Sequence, residues 1–297
     1  MIEFKDITLQ DKDIIQSFTM NSHRRNCDLS FSNLCSWRFL YHTKYAIVDN
    51  FLILRFYADD ELAYMTPIGK GELRPILEAM IKDAEQMEKP FLMLGVCVGM
   101  KTDIENAMPG RFTFTSDRDY ADYIYLRSDL SSLSGKRYQP KRNHINKFKK
   151  TYSSYEYKVL TPDLIPECLA LEAQWCKANN CHEQTALVAE RKSLTYALQH
   201  FEQLGLTGGV LHVDGKIVAF TFGMPINNET FDVCVEKADT EIEGAYAMIN
   251  FEFANHIPEQ YTYINREEDL GLEGLRKAKL SYHPEIILEK CIAELKE

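Results

Sequence analysis

One order of elements is written twice along this 297-residue chain, and that repetition restricts the fold more than any other feature. After Thr8, Ile14, Ile15 and Phe18 recur at helical spacing. Leu34, Trp37, Phe39 and Leu40 give a second helix, over residues 31–42, its apolar side. The period then drops to two. Residues 45–48 and 51–57 flank Asp49-Asn50, a two-residue turn signal, and read as a hairpin. A strand at 63–67 follows, then an amphipathic helix at 72–88, a buried strand at 91–98 and a short helix near 101–107. A strand at 120–126 is expected to close this half.

The second half repeats the order. Helices are expected over 162–179 and 187–204. Residues 208–213 and 216–224 surround Asp214-Gly215, the strongest hairpin signal in the chain. A strand at 230–235 precedes a helix at 244–256 that is apolar on nearly all sides (Ala245, Met248, Ile249, Phe253) and should lie against a sheet. A strand at 261–265, a helix at 272–280 and a short last strand at 285–288 complete the pattern. Helix, helix, hairpin, strand, helix, strand, helix is the order of the N-acyltransferase (GNAT-like) fold, whose mixed sheet splays open between two central strands. The expectation is therefore an α/β (α+β) chain with two tandem GNAT-like domains, each a mixed sheet flanked by helices. Residues 1–134 form the first, 135–150 a basic linker helix, and 151–297 a second domain with the candidate active site. The length suits two domains of ordinary size.

A formal net charge of −10 argues against indiscriminate binding to nucleic acid or anionic lipid, while leaving room for a local basic patch. The opening residues MIEFKDITLQDKD carry neither a basic head nor an apolar stretch, so no secretory signal is expected. The longest near-continuous apolar run, 91–100, is about half of a bilayer span. The eight cysteines are scattered without paired CxxC motifs, which speaks against a zinc ribbon. The one local cluster, Cys176, Cys181 and His182, is read as ordinary buried thiols rather than a metal site, so no metal is expected. Reduced thiols in a cytoplasm are the default.

Three clusters carry the chemistry. Residues 135–150, GKRYQPKRNHINKFKK, put Lys136, Arg137, Lys141, Arg142, Lys147, Lys149 and Lys150 in one short stretch. Pro140 suits a first helical turn, and Ile145, Phe148 and Tyr152 share a stripe, so the helix can dock and still present a cationic face. That face fits phosphates of RNA or of a lipid headgroup, or it is a solvated surface offsetting an acidic chain. Asn265-Arg266-Glu267-Glu268-Asp269 follows a strand directly. Carboxylates at a strand's carboxyl end can hold an ammonium or take a proton, or they merely complement the next helix's N-terminus. Downstream, Arg276, Lys277, Lys279, Tyr282 and His283 add cations that can stabilise an oxyanion, a phenol that can protonate a leaving oxygen, and an imidazole base.

Residues 122–150 and the stretch INREEDLGLEGLRKAKLSYHP (264–284) resemble stand-alone bacterial relatives of the phosphatidylglycerol lysyltransferase C-terminal catalytic domain, over essentially the whole chain. The resemblance implies two tandem N-acyltransferase domains. In the membrane-bound relatives an aminoacyl group passes from aminoacyl-tRNA to the glycerol hydroxyl of phosphatidylglycerol, and a large transmembrane module accompanies that chemistry. It further implies tRNA backbone contact by the basic helix and peripheral contact with anionic lipid. Glu267 and Asp269 then become candidates for the aminoacyl ammonium, with Arg266, Lys279 and Tyr282 near the reacting ester. Asn265, Arg266, Arg276 and His283 become substrate contacts. No single base is implied, and catalysis rests on positioning. Aminoacyl-tRNA would be the co-substrate, with no bound cofactor. The enzymatic alternative is a coenzyme A-dependent N-acetyltransferase, in which backbone amides at a helix start hold the pyrophosphate. Gly244 fits such a loop, but Glu241 and Glu243 would repel the phosphates. A non-catalytic alternative is a degenerate acyltransferase that binds RNA or envelope components.

Overall fold

The computed structural model describes residues 2–180 and 184–296. Its strands are β1 (Lys5–Asp6), β2 (Lys44–Val48), β3 (Phe51–Ala58), β4 (Glu61–Met65), β5 (Ile68–Gly69), β6 (Leu92–Val96), β7 (Phe112–Ser116), β8 (Asp122–Leu126), β9 (Glu156–Val159), β10 (Thr207–Val213), β11 (Lys216–Pro225), β12 (Thr230–Ala238), β13 (Tyr263–Asn265), β14 (Ile286–Leu288) and β15 (Cys291–Leu295). The helices are α1 (Lys12–Thr19), α2 (Phe31–Ser36), α3 (Arg38–Tyr41), α4 (Leu73–Gln86), α5 (Val98–Ala107), α6 (Arg127–Ser132), α7 (Gln139–Thr151), α8 (Ile165–Ala178), α9 (Thr185–Gln199), α10 (Phe201–Leu204), α11 (Ala245–His256) and α12 (Glu273–Leu280).

Two mixed sheets result. The first runs β1-β2-β3-β4-β6-β15-β7 with β5 on β3, and the second runs β14-β8-β13-β12-β11-β10-β9. Among the described residues each contains one parallel pair, β4–β6 and β12–β13, the other neighbours being antiparallel. A helix joins the two strands of each parallel pair (α4 and α11), as a parallel crossover requires. Both hairpin signals are obeyed, since Asp49, Asn50, Asp214 and Gly215 all take the positive φ of the tight two-residue turn.

The sheets do not divide the chain at 134 or 150. The strand at 122–126, expected to close the first half, sits between β13 and β14 in the second sheet. The last strand, β15, instead crosses back between β6 and β7 of the first sheet. Ala293 is buried there in the core that also holds Phe91, Phe112, Met80 and Ile104, so apolar burial in the first sheet draws the chain end across. Periodicity reports a strand's faces and not its neighbours, and the short strands β7, β9 and β15 were not foreseen.

A second core packs α1, α2 and α9 between the sheets, around Leu54, Leu198, Phe220 and Phe222. A third joins α11 and α7 to the second sheet through Met248, Ile249, Phe253, Ile145 and Phe148. The all-round apolar helix and the docking stripe of the basic helix therefore lie as expected. Six described cysteines carry free thiols, whereas Cys176 is disulfide-bonded, against the all-reduced expectation. Cys181 and His182 lie outside the described residues. No helix among the described residues is long and apolar enough to cross a membrane.

Candidate active site

The second sheet opens at its parallel pair. β12 and β13 are in register for three positions, ending at Asp232↔Asn265, after which the chain beyond β13 turns away. Opposite, β11 pairs Phe222 with Val235 and Met224 with Asp232, so Val233 and Cys234 together face Gly223 and form a bulge. The bulge reassigns faces. Asp232 turns to Asn33 and Cys234 to Ser30, both at the α2 end of the first half. Glu236 emerges on the other face against Asn250 of α11.

On the α2 face, carboxyl groups crowd without enough donors. Asp232 is fully buried; its Oδ2 accepts from Cys234 Sγ at 3.3 Å, and its Oδ1 has no partner. Glu267, held at φ 57°, accepts from Asn33 Nδ2 at 2.8 Å. One ligand atom each of Asp232, Cys234 and Glu267 lies within 4.8 Å of the others. Burial, reinforced by neighbouring carboxylates, pushes both Asp232 and Glu267 well above the ordinary carboxyl range. Beneath them Asp122 accepts from the Cys27 amide and from Asn265 Nδ2, both at 2.8 Å, and pairs with Lys290 Nζ at 2.8 Å. Lys290 also meets Asp28 at 3.1 Å and Glu268. Burial alone would lower the Lys290 pKa, but these carboxylates outweigh it and raise it. Because Lys290 joins β14 to β15, this cage also pins the strand that crosses between sheets.

The residues expected from sequence divide into two groups. Asp269 sits in the loop but is not a free base. It is fully buried and takes Arg276 Nε and Nη2 at 2.8 Å each, the Gly271 amide at 2.9 Å and the Tyr123 hydroxyl at 2.5 Å. Hydrogen bonds from Arg276 hold its carboxyl far below the usual range. With its lone pairs occupied, Asp269 shapes the loop, and Arg276, which also binds Asp119, serves the same end. Lys279 donates to the carbonyls of Arg266 and Glu268, and burial lowers its pKa. Asn265 ties the Arg25 carbonyl to Asp122. His283 is exposed, its Nε2 3.3 Å from the Arg137 carbonyl, away from the gap. Glu267, Arg266 and Tyr282 do border the gap: Arg266 pairs with Glu236 at 2.9 Å and lies 4.9 Å from the Tyr282 ring. Sequence reasoning missed Asn33, Asp122, Asp232, Glu236, Asn250 and Lys290. One signal was available, since TFDVCVEKA places two carboxylates among the buried apolar residues Phe231, Val233 and Ala238 of one strand.

Residues 19–294 match the phosphatidylglycerol lysyltransferase C-terminal family. The chain belongs to that family. A conserved protein of unknown function from Bacteroides thetaiotaomicron is 66% identical over the full length of both chains, with a TM-score of 0.98. The C-terminal domain of a protein assigned as a lysylphosphatidylglycerol synthetase, from Agrobacterium fabrum, superposes with a TM-score of 0.72 at 12% identity, over 97% of this chain and 92% of that one. A tandem GNAT protein of clavulanic acid biosynthesis reaches a TM-score of 0.50 at 10% identity, over 100% and 99% of the two chains, which is a likeness of fold. A Mycoplasmoides gallisepticum protein is 26% identical over 178 residues, 59% of this chain but only 56% of that protein's length. The chain is thus a member of the lysyltransferase C-terminal family with a tandem GNAT-like fold.

In this family member the basic helix is largely committed to its own fold. Arg142 donates to the carbonyls of Leu133 and Gly135, Arg137 pairs with Asp129 at 2.7 Å, and Lys147 pairs with Glu243 at 2.6 Å. Lys141 turns in over the Tyr282 ring at 3.8 Å, and burial lowers its pKa to about 8. Lys136, Lys149 and Lys150 are exposed and form no ion pair among the described residues. The same helix packs on the start of α11, where a Cβ on Gly244 would lie 3.1 Å from the His144 carbonyl and 3.2 Å from Phe148.

Proposed function

We propose that the chain transfers an aminoacyl group from an aminoacyl-tRNA to a hydroxyl or amine acceptor, either a phosphatidylglycerol-like lipid or another small molecule. The observation that carries this reading is the gap beyond Asp232 and Asn265, lined on one face by Asp232 and Glu267 and on the other by Glu236 and Arg266. In the step itself, the acceptor oxygen or nitrogen bonds to the ester carbonyl carbon. The bond from that carbon to the terminal ribose oxygen breaks, and the acceptor proton passes to the leaving oxygen. Asp232 and Glu267, two carboxyls whose ligand atoms lie within 4.8 Å of each other, suit such a relay. Arg266 suits the developing oxyanion. Lys136, Lys149 and Lys150 remain available for tRNA phosphates.

Coenzyme A is the weaker donor. The helix start that would cradle a pyrophosphate is packed under α7, with Glu243 beside it. The deciding experiment gives the purified chain either tRNA charged with labelled amino acids or acetyl-coenzyme A, with phosphatidylglycerol vesicles or small amines as acceptors. Label should leave the tRNA for an acceptor. Acetyl transfer with micromolar coenzyme binding, and none from tRNA, would replace this reading with the acetyltransferase one.

A further inference from the structure

Two clusters of the same three residue types adjoin at the gap, and they differ in charge balance. Single ligand atoms of Cys27, Asp122 and Glu268 lie within 4.8 Å of one another, as do those of Asp232, Cys234 and Glu267. The first cluster has its own cation: Lys290 Nζ stands 2.8 Å from Asp122, 3.8 Å from Cys27 Sγ and against Glu268. Asn33 Nδ2 links the two clusters, donating to the Cys27 carbonyl at 3.1 Å and to Glu267 at 2.8 Å. Among the described residues no lysine or arginine forms an ion pair with Asp232 or Glu267. Lys279, the cation whose charge falls on Glu267, spends its ammonium on the carbonyls of Arg266 and Glu268. Asp232 is fully buried with its carboxyl turned into the second cluster, and its Oδ1 has no hydrogen-bond partner. A buried carboxylate short of both donors and countercharge is costly, and a bound cation relieves that cost.

We propose that Asp232, Cys234 and Glu267 form a binding site for a divalent metal ion of the zinc class. The donor set selects the ion. Magnesium and calcium take oxygen ligands, whereas two carboxylates with one thiolate suit zinc or cobalt(II). Cys234 and Glu267 are half-buried, which gives the ion a way in, while Asp232 anchors it from below. The ligands are also held from behind, as metal ligands usually are: Asn33 fixes the Glu267 carboxylate, and Ser30 Oγ lies 3.7 Å from Cys234 Sγ. The Cys234 thiol donates to Asp232 Oδ2 at 3.3 Å; on binding, its proton passes to solvent and a sulfur lone pair goes to the metal. These residues are distinct from Cys176, Cys181 and His182, the cluster visible in the sequence. The functional consequence rests on the aminoacyl-transfer reading. A metal ion held here takes both carboxyls from the proton relay, so zinc acts as an inhibitor of transfer and not as its cofactor.

Calorimetric titration of the full chain with zinc chloride, repeated in excess magnesium chloride, tests the site. At least one equivalent of zinc should bind, and magnesium should not compete. Cobalt(II) in its place should show the near-ultraviolet charge-transfer band of a thiolate ligand. Asp232→Asn and Cys234→Ser, each checked for an intact circular dichroism spectrum, should weaken zinc at least about tenfold, since even the partners behind a metal ligand carry that much affinity. Cys234→Ser should also erase the cobalt band. Cys291→Ser, which alters a free thiol of the first sheet, should change neither. No zinc binding (the acids held by protons alone), or an affinity and a band that survive both substitutions (metal on other thiols), would overturn the site. In the transfer assay, zinc should inhibit the parent and spare Cys234→Ser. Zinc bound at Cys234 without any effect on transfer would keep the site and remove its carboxyls from the relay. Inhibition that ignores Cys234 would sink the inference and leave the reaction standing.

Discussion

The two sheets open at equivalent places and treat the opening in opposite ways. In the first sheet β4 and β6 stay in register for two positions, Tyr64↔Met93 and Met65↔Leu94. Arg24 then donates to the carbonyls of Thr66 and Pro67 at 2.5 Å each, and Asn26 donates to Gly95 at 2.9 Å. The space left is about 10 Å³, enough for a single water at most. In the second sheet the corresponding gap receives carboxylates, and polar atoms of Asp232, Asn250 and Arg266 stay unpaired. Strands that separate expose backbone groups, which buried structure must satisfy. Donors from Arg24 and Asn26 close the first gap into a plug, although Asp28 also lines it and Thr66 Oγ1 stays unpaired there, whereas the second gap buries several acids short of donors. The backbone opens twice, and the side chains fill the two openings differently.

The largest expected effect tests whether the acidic loop is framework. Asp269→Asn should lose about 1.5–3 kcal/mol of stability, the range for hydrogen bonds to a charged group, because Arg276 is a third exposed and keeps Asp119 as a partner. The Asp269 carboxyl titrates lower folded than unfolded, so its contribution is present above the unfolded pKa and fades as pH falls. The stability gap between mutant and parent should therefore begin to narrow as pH falls below about 4 and go on narrowing toward the lower folded pKa. A mutant of parental stability with crippled transfer would restore Asp269 to the catalytic group.

Asp232→Asn sharpens the contrast with opposite signs. Transfer should fall about a hundredfold, as for loss of a positioned acid–base group. Stability near pH 7 should rise, because the folded carboxyl binds its proton more tightly than the unfolded one and the parent loses stability as pH climbs above about 4. Melting curves across pH and single-turnover rates measure both. A mutant destabilised at neutral pH would mean that the pair is not crowded.

The plug should behave as pure structure. Arg24→Ala should cost about 1.5–3 kcal/mol, the range for hydrogen bonds from a charged group, and leave the transfer rate of the folded protein unchanged. A selective loss of transfer would show that the first opening takes part after all. The smallest effects belong to the exposed lysines. Lys136→Ala and Lys150→Ala should each lower the log–log salt slope of RNA binding by about one unit. Arg142→Ala should lower stability and leave that slope alone, since its guanidinium already caps backbone carbonyls.

Local signals in the sequence reached far along this chain. Turn chemistry at Asp49-Asn50 and Asp214-Gly215, the buried helix at 244–256 and the stripe through Ile145 and Phe148 are all short-range consequences of backbone sterics and apolar spacing. They determined the element order and, with the motif at 264–284, the family. Strand neighbours were not legible, because apolar alternation suits Cys291–Leu295 equally well for either sheet and only burial of Ala293 in the first core selects one. The site was half legible for the same reason. Glu267 and Arg266 stood out beside a strand end, yet their neighbours declared nothing about which acid was satisfied. Asp269 looked free in sequence and is held by Arg276, Tyr123 and Gly271, while Asp232 looked like a strand residue and keeps an oxygen without a donor. Sequence determines which charges exist, but pairing is a matter of distance, and distances between residues 33, 232, 250 and 267 are set only when two sheets and a crossing strand close around them.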